Sequence, residues 1–152
     1  MNPTLIGRIE TRIFALALIG SIAQLIFSPV LPHTDGAPLG TLYKITFAIL
    51  ITTIILGVVW EFIYHGIQQF RWEKDWPTLF GFLTVINEGA VVWFVVKSGI
   101  VPGIPKFDNK VTLPFSTFLV DFLIVWMLTF LFVNGPMRVP FVYWRHRGGR
   151  LI

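Results

Sequence analysis

Apolar residues fall along this chain in four long blocks, joined by short links rich in charge, proline or glycine. The blocks cover roughly 13–31, 43–64, 78–100 and 113–134, each close to the ~20 residues that a helix needs to cross the hydrocarbon of a bilayer. Small and polar residues recur inside them at steps of three and four. Ala17, Gly20, Gln24 and Ser28 mark the first block, and Thr53, Gly57, Glu61 and His65 the second. Gly81, Thr84 and Glu88 mark the third, and Thr117 and Asp121 the fourth. On a helix such spacings share one face. The pattern therefore predicts four helices, each with one polar or small stripe on an otherwise greasy surface. Small residues let helices approach and polar ones hydrogen-bond across the seam, so the four stripes are expected to turn inward.

The links "PHTDGAPLG", "HGIQQFRWEKDWP" and "VPGIPKFDNKV" carry turn chemistry. Short links make successive helices antiparallel neighbours. The expected fold is an all-α integral membrane protein, an up-down four-transmembrane-helix bundle forming one domain over 1–152, with a basic tail at 135–152. The first block is longer than the apolar core of a signal peptide, and no small-x-small cleavage site follows it before "SPVLPH". It is expected to be a retained span.

Charge orients the bundle. Arg8, Arg12, Arg71, Lys74, Arg138, Arg145, Arg147 and Arg150 fall on one side of the predicted spans, while Lys44, Lys97, Lys106 and Lys110 fall on or near the other. The positive-inside rule then puts both termini in the cytoplasm, in a multi-pass protein of the plasma (inner) membrane. Trp72, Trp76, Tyr143 and Trp144 lie at that cytoplasmic interface, where amphipathic rings settle.

Composition agrees. The 152 residues are 55% hydrophobic and 13% charged, with a mean hydropathy of +0.74, too few charges for the polar shell of a soluble core. With no cysteine, disulfides, thiolate zinc and iron–sulfur ligation are all excluded.

Candidate chemistry centres on two acids set among apolar neighbours. Glu88 lies in "GFLTVINEGAVVWFVV" and Asp121 in "FLVDFLIVWML". An acid at a helix centre costs roughly 2.5–3.5 kcal/mol on insertion scales, so each needs a partner, water or a proton. By depth the two are expected to be neighbours in the interior, and as neighbours they would repel unless one stayed protonated. Lys97 is the nearest base on the same helix, although its stem also reaches the outer surface. Arg8 and Arg12 are read as flanking charges, so no arginine is expected inside the membrane.

Three roles compete for the acids. They can be interhelical glue with Thr84, Asn87, Thr117 or Gln24, a proton or cation path, or contacts to cations on another subunit. Glu61 and His65, one turn apart, form a candidate interfacial pair. Arg71, Trp72, Lys74 and Trp76 in the hairpin, with Trp144, Arg145, Arg147 and Arg150 in the tail, are candidate docking residues for anionic lipid or a partner.

Neither a nucleophile elbow nor a phosphate loop nor a dinucleotide fingerprint is present. His33 and His146 lie in a loop and the tail, so no cofactor or metal site is expected. Nucleic-acid binding is not expected either, because the basic patch is short and pinned to a membrane. The leading expectation is a non-catalytic accessory or structural subunit of a larger membrane complex, with other membrane subunits and cytoplasmic-face anionic lipids as partners. The alternative is a small oligomeric ion- or proton-coupled transporter using Glu88 and Asp121. A membrane lipid-processing enzyme stands third.

Overall fold

A computed structural model describes residues 4–32, 38–70, 78–107 and 110–139. Helix α1 runs over Leu5–Val30. It starts behind Thr4, whose hydroxyl accepts the Gly7 N–H at 3.1 Å and so satisfies a backbone donor left over at the helix start. A single π turn, Leu16–Gly20, interrupts it, and a 3₁₀ turn, Ser28–Val30, closes it at Pro29. Helix α2 is Leu39–Gln69, α3 is Thr78–Lys97 and α4 is Phe115–Asn134. Pro38 and Pro114 stand immediately before α2 and α4, where the missing N–H costs the helix nothing.

Among the described residues, the segments Leu5–Val30, Leu39–Gln69 and Phe115–Arg138 are long and apolar enough to cross a membrane. Helix α3, at 20 residues, is shorter than these three. Two helices extend beyond their hydropathy blocks. Helix α1 begins at Leu5 and not near residue 13, and α2 extends past both ends of 43–64 to run from Leu39 to Gln69. In α1 hydropathy trims the span at Arg8, Glu10 and Arg12, whereas the backbone helix continues through them.

Cross-helix contacts give the directions. Arg8 meets Glu61 and Gln24 meets Thr46, so α1 and α2 are antiparallel. Phe82 packs on Phe130 and Trp93 on Phe115, so α3 and α4 are antiparallel. The α3–α4 seam is an aromatic ladder in which Trp93, Phe118, Phe122 and Trp126 join the buried aliphatics Val92 and Val96. Gly89 admits the Phe122 ring, since a Cβ there would lie 2.9 Å from Phe122 Cε1.

We call the end of the bundle where α1 starts and α2 finishes the lower end. At the upper end the α3–α4 link does more than turn. It forms a two-residue hairpin, β1 Lys106–Phe107 against β2 Lys110–Val111, and buries Val101, Ile104, Val111 and Leu113 on Ile45 and Ile49. Gly99 and Gly103 take positive φ, 76° and 86°, a conformation open to glycine at little cost. Lys97 Nζ donates to the carbonyls of Val111 and Leu113, at 3.1 and 3.4 Å, and lies over the Trp93 ring. Lys97 is thus a clasp for this plug and not the base for Glu88 that the sequence offers.

The distribution of polarity is inverted relative to a water-soluble bundle. Ile55, Phe62, Ile86, Phe94 and Leu131 are exposed, while Arg8, Gln24, Ser28, Glu61, Gln68, Glu88 and Asp121 are buried. Extended apolar exteriors of this kind are disfavoured in water, and the arrangement is compatible with a multi-pass membrane protein.

Candidate functional site

The inward residues of α1 recur at steps of four: Arg8, Arg12, Leu16, Gly20, Gln24 and Ser28. On an ideal helix a four-residue step drifts by roughly 40°, so such a row would spiral off the core. The π turn at Leu16–Gly20 sits in the middle of it. A π turn holds more residues than an α turn, which counters the drift and keeps both ends of the row inward. Ala17, expected on the stripe, is exposed.

At the lower end this row meets the α2 stripe. Arg8 Nε donates to Glu61 Oε2 at 2.6 Å, and Arg12 Nε to Glu61 Oε1 at 2.7 Å. Arg12 also grips Glu88 of α3 with two parallel bonds, Nη1 to Oε2 at 2.7 Å and Nη2 to Oε1 at 3.0 Å. Arg8 Nη1 donates to Gln68 Oε1 at 3.0 Å. Two arginines and two glutamates thus form one neutral network across three helices, with Arg8, Glu61 and Glu88 only 4%, 6% and 2% exposed. Taking each charge out of water costs several kcal/mol. Short charge-assisted bonds, one of the pairs bidentate, are the geometry that offsets such a cost. Gly57 makes the crossing possible: a Cβ there would lie 2.7 Å from Arg12 Cδ.

This network corrects the expectation that no arginine enters the interior. Arg8 is buried and Arg12 half-buried, both on the inward face of α1. Both oxygens of Glu61 are taken by arginine, so Glu61 does not pair with His65. His65 Nε2 lies 3.4 Å from Gln69 Nε2, and its Nδ1 is buried without a hydrogen-bond partner among the described residues.

Asp121 belongs to a second polar cluster, toward the upper end. Gln24 Nε2 donates to Asp121 Oδ2 at 3.2 Å and to the Thr46 carbonyl at 3.3 Å. Ser28 Oγ donates to the Gln24 carbonyl at 2.6 Å and lies 2.8 Å from Thr46 Oγ1. Thr117 donates to the Pro32 carbonyl. Glu88 and Asp121 are therefore not brought together. Their partners, Arg12 and Gln24, stand roughly 18 Å apart along α1, with buried Leu16, Ala23, Leu50 and Val125 packed between the two clusters. Gly20 lies in this layer too, and a Cβ on it would meet Leu50 Cδ1 at 2.6 Å.

Of the other expected glue residues, Thr84 is buried but bonds its own helix, donating to the Gly81 carbonyl at 2.8 Å. Asn87 faces outward and is exposed, at the middle of α3. The docking candidates Arg71, Trp72, Lys74, Trp76, Trp144, Arg145, Arg147 and Arg150 lie outside the described residues.

The neutral network forms one wall of a cavity of about 150 Å³ at the lower end. All four helices line it: Arg8 and Arg12 from α1, Glu61 and Tyr64 from α2, Thr84 and Glu88 from α3, and Trp126, Thr129, Phe130 and Asn134 from α4, with Arg138 just beyond. Every carboxylate oxygen here already accepts from arginine. The glutamates are therefore poorly placed as metal ligands or proton acceptors, and the wall presents N–H and O–H donors instead. The sequence carried one sign of this site, the row of four-residue steps continuing downward from Gln24 through Gly20 to Arg12 and Arg8.

No family model matches the chain, and neither a curated protein nor a solved structure matches it.

Proposed function

We propose that the chain is a four-span membrane protein with both termini cytoplasmic, acting without catalysis as an accessory or structural subunit of a larger membrane assembly. The observation that carries this reading is Asn87, an amide exposed on the outer face at the middle of α3. Its neighbours on that face are apolar: Leu83, Ile86 and Phe94 are exposed as well. In lipid an amide finds no solvent partner, and side chains of this type hydrogen-bond across helices. The buried acids support the same reading in a negative sense. Arg12 satisfies Glu88 within the chain, so the bundle needs no cation from outside and a partner would meet its outer surface. Anionic lipids at the cytoplasmic face are proposed as further partners of the basic segments.

The test is the mass and composition of the tagged protein extracted at native abundance in a mild detergent. The expected result is unrelated membrane subunits in fixed ratio, lost on Asn87→Leu while the chain itself stays folded. A monomer, or co-purification indifferent to Asn87→Leu, would sink the reading. A homo-oligomer would instead favour ion or proton coupling. Asp121 is the acid suited to that role, buried against an amide with no cation bonded to it among the described residues.

A further inference from the structure

The lower cavity has an imbalance that the network around it does not use up. Among the described residues its lining carries three arginines, Arg8, Arg12 and Arg138, against two glutamates, Glu61 and Glu88, an excess of one positive charge. Arg12 spends one hydrogen from each of its three nitrogens on Glu61 and Glu88. A guanidinium has five N–H groups, so one remains on each terminal nitrogen. Among the described residues the Arg138 side chain makes a single bond, to Asn134 Oδ1 at 2.9 Å, and is otherwise exposed at the rim.

Thr129 supplies an independent sign. The helical threonines Thr11, Thr52 and Thr53 all return their hydroxyls to the carbonyl four residues earlier. Thr129 does not. It is one of the residues lining the cavity, and its buried Oγ1 has no hydrogen-bond partner among the described residues. A buried hydroxyl left unpaired costs ~1–3 kcal/mol and persists where something else pairs with it. On the same wall Leu16, Trp126, Phe130 and Val133 are apolar.

We propose that this cavity binds an oxyanion of the phosphate class, held by Arg12, Arg138 and Thr129, either free or as the headgroup of a lipid whose chain lies along the apolar wall. In its singly charged form a phosphate group balances the excess charge, and its oxygens accept from the spare donors. Arginine suits it because its planar fork matches phosphate oxygens. The volume of about 150 Å³ is sufficient, since one water needs only about 10–15 Å³ of such space. The site lies inside the bundle, away from the outer face that carries Asn87, so it does not depend on the subunit reading above.

The test uses the full chain in detergent, titrated separately with inorganic phosphate, short-chain phosphatidic acid and short-chain phosphatidylcholine, with binding followed by calorimetry. Saturable binding of phosphate or phosphatidic acid is expected, weakened about tenfold or more by Thr129→Val and by Arg138→Gln. Neither substitution touches the Arg–Glu network, and a thermal melt shows whether each variant is folded. Phosphate and phosphatidic acid binding alike places a free anion in the site. Binding of phosphatidic acid alone makes it a headgroup site, and both results support the proposal. It is overturned if neither anion binds or if phosphatidylcholine binds as well as phosphatidic acid. It is also overturned if Thr129→Val leaves affinity unchanged, since that would put the anion on surface Arg138 alone.

Discussion

Arg12 is the hinge of the lower network, because it serves two acids while Glu88 serves one base. The two ends of that pair are therefore not equivalent in mutation. Arg12→Met leaves Glu88 buried without a cation, and breaking a buried pair in this way costs about 3–5 kcal/mol. Glu88→Gln keeps a carbonyl for Arg12 to donate to, and Arg12 retains Glu61, so a loss of about 1–3 kcal/mol is expected. Arg12→Met combined with Glu88→Met should recover much of the first loss, because Arg8 and Glu61 remain a neutral pair. Denaturation in mixed detergent micelles measures all three. Equal losses for the two single variants would contradict the asymmetry.

The burial of Glu88 and Asp121 could be read from their helical stripes. Their partners could not. Arg8 and Arg12 look like flanking charges to any scale that scores residues one at a time, and only their register with Glu61 and Glu88 makes burial tolerable.

Helix α2 shows how one residue type takes opposite roles along a single element. Gly57 sits against the pinned stem of Arg12, whereas a Cβ at Gly66 would meet nothing within 4 Å among the described residues. Glycine in a helix interior costs up to ~1 kcal/mol relative to alanine. Gly66→Ala should therefore stabilise the protein by about 0.5–1 kcal/mol. Gly57→Ala gains the same propensity but pushes on a side chain whose head is fixed by three hydrogen bonds. Overpacking of that kind costs ~1–3 kcal/mol, so a net loss is expected. The two melting shifts should differ in sign, and a stabilising Gly57→Ala would mean that Arg12 is free to move. The steps of four along α2 already marked Gly57 as inward, but they could not say that an arginine would cross over it. In α1 the stripe was partly legible. Gln24 and Ser28 were placed correctly and Ala17 was not, because the π turn changes the angular step at the point where Ala17 lies.

At the scale of the whole molecule the distribution of lysine and arginine predicts a membrane orientation. The natural absence of cysteine makes this simple to test. A single cysteine at Thr4 or in the 71–77 link should react with an impermeant maleimide only after the cells are opened. One at Asn109, in the link between α3 and α4, should react in intact cells. The reverse pattern would invert the assignment, and with it the side from which the lower cavity is reached. The upper plug was less legible: "VPGIPKFDNKV" reads as a polar turn, yet Val101, Ile104 and Val111 fold back onto Ile45 and Ile49. Its alternation of glycine, proline and aliphatic residues suits either a solvated loop or a lid, and only the core beneath it decides.

What the sequence determined by itself is the local part: four helical segments, a greasy exterior, one polar stripe on each helix, and acids that cannot face lipid unaccompanied. These follow from periodicity and transfer free energy, which are properties of one segment at a time. What the tertiary structure alone decided is which acid meets which base. It also separated Glu88 from Asp121 by an apolar layer and opened a donor-lined cavity beside the paired charges. Those outcomes depend on the axial offset and rotation of one helix against another, and these are set jointly by contacts such as Gly57 with Arg12 and Gly20 with Leu50. No single segment contains that information.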